Sequence, residues 1–360
     1  MRGRSFLTVS CLLLLLAHAP AADPPKTSNP QQSVSSVEPQ LKVRDIPAVD
    51  TQKQAEAMLA HARDLSDVRA PGAAPFHLTA SFSFVDDELE TFDGTYSEFW
   101  LSDSKWRKEI VVGDMRKVSI AGDRKLWELE SGPPLSEKAL RVEFATELFP
   151  SPLSKMEFES LQSIPDDPAA KCAVTKPASL HKDRSALCFD QTNGVLTERI
   201  IPTWSRHHLA DFSCAYSEFK QFAGRWFPFE MDCRQAGHRQ MQVHVTGLTA
   251  SNPDDAKLFE PPADAVELGR CPAGETSAKP DYTPAPLQPA SLRNEPSSVT
   301  MRLVVDAKGK ARNIQFVHPA NKFVDEAALG TVEQWRFKPA TCDGEPMAQR
   351  IELEVLFRSY

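Results

Sequence analysis

Seven cysteines are the most reactive side chains in the sequence, and one of them, Cys11, lies inside an apolar leader run. The remaining six are Cys172, Cys188, Cys214, Cys233, Cys271 and Cys342. No Cys-x-x-Cys occurs, so neither a zinc ribbon nor a thioredoxin-type dithiol is encoded. An even number in an exported chain points to disulfides. Many pairings are open to six cysteines, and the expectation is local pairing: Cys172–Cys188, Cys214–Cys233 and Cys271–Cys342. A Cys271–Cys342 bridge would close a loop of about 70 residues and contribute about 4 kcal/mol by chain entropy.

The other chemistry-bearing groups point away from catalysis. His207 and His208, with His181, His238 and His244, are the metal-ligand candidates. Adjacent histidines on a strand face opposite ways, so no metal is expected. Asp86, Asp87, Glu88 and Glu90 read as a solvated acidic turn. Gly-x-Ser-x-Gly, His-Glu-x-x-His, Gly-x-Gly-x-x-Gly and Walker patterns are all missing from the sequence. No catalytic residue and no cofactor is expected, and the activity should be non-covalent binding. Trp100, Trp106, Trp127, Trp204 and Trp226 read as buried aromatics of a sheet, with the lining of a ligand cavity as the alternative.

The chain has 360 residues, 41% of them apolar, a formal net charge of −8 and 29 prolines. This length suits two or three domains. An acidic chain without a basic block is no nucleic-acid binder. Residues 1–22 have a basic start, a short apolar run and small residues before a cleavage point near Ala21–Ala22. That is the layout of a signal peptide. The apolar run is about 12 residues, and a membrane span needs about 20. Secretion is therefore expected, with retention of the segment as an uncleaved membrane anchor as the alternative; the resemblances given below place the secreted chain in the periplasm. Residues 23–48 are polar and aperiodic and read as a flexible segment.

A helix is expected from Asp50, with Ala55, Met58, Leu59, Ala62 and Leu65 on one face. "FHLTASFSF" then alternates apolar and polar residues, the mark of a half-buried antiparallel strand. Further strands follow at about ten-residue intervals, interrupted by an expected helix over 135–149. The fold class is therefore α+β: one large curved antiparallel sheet over 49–268 with helices on its concave side, since a sheet of this size curls and must be filled. Residues 269–296 hold six prolines and no periodicity, and read as an extended linker. Residues 297–360 read as a small β-β-α-β domain. In its helix Val324, Ala328, Thr331 and Trp335 share a face, and Gly330 suggests a close neighbour.

Two resemblances follow. The leading helix, "GTYSEFWLSDSKWRKEI", "YSEFKQFAGRWFPFEMDC" and the closing "NPDDAKLFEPP" resemble the LolA-like half-barrel of periplasmic lipid and lipoprotein carriers. That resemblance implies an acyl or lipid ligand on the concave face. "VVDAKGKARNIQFV", "EQWRFKPAT", "DGEP" and the final "IELEVLF" resemble the TonB C-terminal domain family. The Tyr-Pro and Gly with which that family commonly opens are not matched, because Tyr282-Thr283-Pro284 stands there instead.

The TonB resemblance implies docking of a short extended peptide from an outer-membrane receptor or another periplasmic protein, by β-augmentation of the last strand. The edge maps to Arg350, Ile351, Glu352, Leu353, Glu354, Val355, Leu356 and Phe357. The alternating Glu352 and Glu354 serve equally well as protection against aggregation. Three functions are thereby in view: docking linked to outer-membrane transport, lipid or lipoprotein binding by the half-barrel, and energy transduction if the first segment stays in the membrane.

Overall fold

The structure, a computed structural model, describes residues 48–86, 88–149, 157–164, 167–176, 185–205, 208–252, 256–271, 274–286 and 298–357. The signal segment, the polar segment before Ala48, Asp87, His181 and His207 lie outside the described residues. Among those residues no helix is long and apolar enough to cross a membrane.

Helix α1 (Ala48–Ser66) leads into β1 (Phe76–Val85), β2 (Thr91–Ser102), β3 (Lys105–Val112), β4 (Met115–Ala121) and β5 (Lys125–Ser131). After α2 (Glu137–Thr146) come β6 (Phe158–Ile164), β7 (Asp167–Thr175), β8 (Ala186–Asp190), β9 (Leu196–Ser205), β10 (His208–Phe222), β11 (Arg225–Gln235) and β12 (His238–Ala250). The short strands β13 (Val266–Gly269), β14 (Glu275–Thr276) and β15 (Lys279–Tyr282) follow. The C-terminal module holds β16 (Ser298–Val305), β17 (Ala311–His318), α3 (Lys322–Val332), β18 (Arg336–Lys338), β19 (Ala340–Cys342), β20 (Glu345–Met347) and β21 (Gln349–Leu356).

Thirteen strands make one antiparallel sheet in the order β13-β5-β4-β3-β2-β1-β12-β11-β10-β9-β8-β7-β6. Among the described residues the ends of that order do not pair, and the sheet is open. Its curl follows from two contacts of one helix. On α2, Glu143 takes an ion pair from Lys108 of β3 at 3.3 Å, while the Phe144 ring lies 3.8 Å from the guanidinium of Arg199 on β9. Strands β3 and β9 are six places apart in the sheet, roughly 29 Å on a flat surface at 4.8 Å per strand. A helix is only about 10 Å across. The sheet therefore wraps around α2, as its thirteen-strand width demands.

Alternation puts Phe76, Leu78, Ala80, Phe82 and Phe84 of β1 on the wrapped face, where they join Ala55, Leu59 and Ala62 of α1 and Ala139, Val142 and Ala145 of α2 in one core. Ser136 caps α2, its Oγ accepting from Ala139 N at 3.2 Å. Polar groups fill the remaining depth. Arg69, just past α1, donates to both carboxylate oxygens of Glu98 on β2 and to Thr146 O on α2, and the Tyr96 hydroxyl donates to Glu98 at 3.0 Å. Trp100 is buried here, stacked on Phe76, whereas Trp226 is partly exposed.

All three local cysteine pairs are bonded. Cys214 and Cys233 oppose each other across β10 and β11 within the main core. Cys172 and Cys188 oppose each other across β7 and β8, and lie with Val174, Ala186 and Ile200 in a small separate cluster.

The described part of the segment read as a linker is paired: just after β13, which extends the large sheet beside β5, β14 pairs with β19 and β15 pairs with β18. Trp335 Nε1 also donates to Pro284 O at 3.0 Å. The physical reason is that extended, proline-containing chain still carries unpaired amides and carbonyls, and short strand edges satisfy them; Pro280 sits at such an edge, where its missing N–H is tolerated.

In the module the sheet order is β17-β16-β21, with α3 on one face. Val299, Met301, Leu303 and Val305 meet Val324, Ala328, Val332, Val355 and Phe357. The helix stops at Val332, so Trp335 reaches this core from the segment after it, and Thr331 instead donates to Ala327 O at 2.7 Å. Gly330 is not tightly packed, contrary to the sequence expectation: a Cβ there would meet nothing within 4 Å.

Two predictions follow from this packing. Burial alone would push the Glu98 carboxyl up, but the charges of Arg69 and Lys108 outweigh it and hold it below the ordinary 4.5. A depressed carboxyl stabilises the fold fully above that ordinary value, and the contribution fades as pH falls through the folded-state value. Glu98→Gln should cost about 3–5 kcal/mol at neutral pH by leaving Arg69 uncompensated, and it should flatten the acid limb of thermal stability; an unchanged melting profile would refute this. Gly330→Ala should raise stability by up to about 1 kcal/mol, read from denaturant midpoints.

Candidate docking site

The turn that joins β17 to β16 fixes the sheet of which β21 is the other edge. Asp306 Oδ1 accepts from Lys308 N and Lys310 N, both at 2.9 Å, and its Oδ2 accepts from Arg312 Nε at 2.6 Å. Gly309 has φ +76°, and a Cβ there would lie 2.0 Å from Phe337 O. Glycine is therefore required where β18 crosses the turn, and Phe337 N bonds to Gly309 O at 2.9 Å. Asn321 caps α3, accepting from Phe323 N and Val324 N.

The module's sheet has two outer edges, and they differ. The β16–β17 pairing is interrupted by two register shifts, and Asn313 of β17 has φ +49°. Bulges of this kind spoil an edge as a template. The β16–β21 pairing runs without a shift from Ser298↔Leu356 to Val305↔Gln349. Among the described residues its outer side meets other backbone only just before its first residue, where Gly269 N donates to Ala348 O at 2.7 Å. From Ile351 onward β21 pairs with β16 alone among the described strands.

The start of β21 is also where the module meets the large sheet. Arg350 Nε donates to Glu128 Oε2 of β5 at 2.7 Å, and Lys117 of β4 pairs with Glu128 Oε1 at 3.0 Å. Arg302 of β16 is shared between Glu130 at 3.6 Å and Glu352 at 3.4 Å. Burial would raise the Glu128 carboxyl, but Lys117 and Arg350 together hold it below its ordinary value. Glu130 Oε2 is buried without a hydrogen-bond donor, 3.8 Å from Arg350. These groups line a cavity of about 360 Å³ that runs along Gln349–Glu352. Leu126, Leu140, Leu268 and Ile351 line it as well. A second cavity of about 330 Å³ lies between Val68, Ala73 and Phe222. No tryptophan lines either one.

The sequence-derived edge residues thus separate into groups. The Arg350 side chain is committed to Glu128 within the chain. Ile351, Leu353, Val355 and Phe357 turn into the core under α3. Glu352, Glu354 and Leu356 alternate with them on the opposite face, with Leu356 57% exposed. Sequence reasoning missed Arg302, Lys117, Glu128 and Glu130. One signal was available: Arg302 stands alone inside the apolar run "VTMRLVV", and a buried cation needs a partner.

Residues 288–359 match the family described as Gram-negative bacterial TonB protein C-terminal. Solved structures similar to the earlier part include a LolA superfamily protein from Nitrosomonas europaea, at 11% identity and TM-score 0.40 over 57% of this chain and 97% of that one. A putative outer membrane lipoprotein-sorting protein domain from Vibrio parahaemolyticus aligns at 12% identity and TM-score 0.39, over 57% and 97%. A DUF1329 family protein from Desulfovibrio piger aligns at 10% identity and TM-score 0.38, over 60% and 98%. No curated protein sequence matches the chain.

The junction is testable by a double-mutant cycle. Arg350→Met and Glu128→Gln should each destabilise the chain by about 3 kcal/mol, and the double variant should lose about 1 kcal/mol less than their sum. Amide exchange at Gly269 should speed up in each variant. Strict additivity would show that the two side chains do not act on each other.

Proposed function

We propose that this cell-envelope protein, which carries a TonB-like C-terminal module, docks an extended segment of another envelope protein onto the free edge of β21. The activity is non-covalent strand addition in the periplasm, and the large sheet serves as the rigid mount for the module. An outer-membrane receptor is the partner the TonB resemblance implies. One observation carries the reading: β21 is regular over its whole pairing with β16, yet its outer side is unpaired from Ile351 among the described residues. An added strand gains backbone hydrogen bonds there, and it extends the apolar layer of Ile351, Leu353 and Val355.

Carriage of a lipid or lipoprotein is the second reading. It rests on the 330 Å³ cavity beside Phe222, whose lining is apolar apart from Arg225. Native mass spectrometry of the purified chain would reveal a co-purified acyl species under that reading.

The docking reading predicts position-dependent crosslinking. A photoreactive residue at Glu354 or Leu356 of the full chain in cells should give a discrete adduct, and the same residue at Gln315 on the bulged β17 edge should not. Adducts from Gln315 alone, or none from Glu354 and Leu356, would overturn the assignment of the edge.

A further inference from the structure

The charge along the open edge specifies the partner's chemistry. This step rests on the docking reading above. Beyond Arg350, the charged side chains of β21 are Glu352 and Glu354, both acidic and exposed on the same face. Glu352 shares Arg302 with the buried Glu130, so it holds only part of one compensating charge. Glu354 has no ion pair with any described residue, and its cross-strand neighbour on β16 is the uncharged Thr300. Lys117, Arg302 and Arg350 at the junction are already bonded to Glu128, Glu130 and Glu352, and Arg124 there pairs with Glu345. Past Glu354 the next described residue on the same face is the exposed Leu356.

A strand added to this edge places each of its side chains beside the one it opposes, on the same face. Its outward positions would therefore meet Glu352, Glu354 and Leu356, and its inward positions would continue the apolar layer of Ile351, Leu353, Val355 and Phe357. Its start is limited as well. At Ala348 the edge is taken by Gly269, so an added strand begins beyond that point and has 351–357 as its described partners.

We propose that the edge selects a short extended segment in which apolar residues alternate with basic ones, the basic residues facing Glu352 and Glu354 and an apolar residue facing Leu356. The match is one of charge sign as well as of strand geometry. Opposed charges on neighbouring strands attract, and a segment bearing carboxylates at those positions would be repelled.

The experiment uses the full chain and fluorescently labelled, end-blocked heptapeptides with Val at the inward positions. In the first peptide the outward positions are Lys, Lys and Leu, and the second has the reverse order, so that either strand direction is represented. Two counterparts replace each Lys by Glu. Binding is read by anisotropy, and its location by protection of residues 351–357 from amide exchange.

A Lys peptide should bind about two- to fivefold more tightly per charge than its Glu counterpart, with the difference shrinking between about 0.01 M and about 1 M salt. Glu354→Lys, a surface change outside the buried junction, should weaken the Lys peptides and strengthen the Glu peptides. Equal affinity for the two charge types with protection of 351–357 would overturn the charge selection and leave docking standing. Binding without that protection would mark mere attraction to an acidic chain and overturn the proposal. Failure of every peptide to bind would remove the docking reading itself.

Discussion

The contact of Arg302 and Arg350 with Glu128 and Glu130 decides how the two halves of this protein stand to each other. Apolar side chains meet at that junction too, Leu126, Leu140, Leu268 and Ile351 around the cavity and Met347 over Gly269, but they set no register. Charges that leave water on folding recover only part of their hydration when they meet, so a buried ion pair is a poor source of net stability. It is a strict selector of geometry, because any slippage strands a charge. Sliding the module by one strand residue would turn Arg350 away from Glu128 and leave that carboxylate facing Lys117 alone. The disulfide Cys271–Cys342 shortens the path between the halves, which lowers the entropy that the ion pairs must overcome.

The same device recurs inside the curled sheet. Its wrapped face is too wide for two helices to fill with apolar side chains alone. Arg69, Glu98, Tyr96, Lys108 and Glu143 occupy the space between β2, β3 and α2, and Arg199 lies across Phe144 and donates to Glu147 O. A half-barrel lined in this way is braced by directional bonds from strand to helix. An acyl chain entering along β2 and β3 would have to break them. That weighs against the space between β2, β3 and α2 as a lipid site.

Much of this architecture was legible in the sequence, for a local reason. Strands such as Phe76–Val85 show a clean period of two, and the cysteine pairs Cys172–Cys188 and Cys214–Cys233 join neighbouring strands, so that short separation in sequence was a sound guide to proximity. The order of the C-terminal module was equally plain, from the apolar alternation of β16 and β21 and from the Asp-Gly turn at Asp343–Gly344. What escaped was long-range. Lys117, Glu128 and Glu130 alternate with apolar residues in β4 and β5, and alternation reads as one face toward water; only the arrival of a sheet from far along the chain buries them. The pairing of β14 and β15 escaped because prolines suppress the usual strand pattern. Gly330 misled for the opposite reason: its cost in a helix suggested a packing requirement, yet it faces open space.

The fixed junction bears directly on what the open edge can do. An edge strand on a swinging module would have to be ordered as the partner arrives, and that entropy would be subtracted from the affinity. Here β21 is held on three sides: by β16 along its length, by α3 through Val355 and Phe357, and by β5 through Arg350. Among the described residues, nothing covers its outer side beyond Ala348. The large sheet thus limits the length of the edge and at the same time keeps it straight. The backbone groups from Ile351 onward are presented in extended form before any partner binds, so strand addition there costs the module little reorganisation.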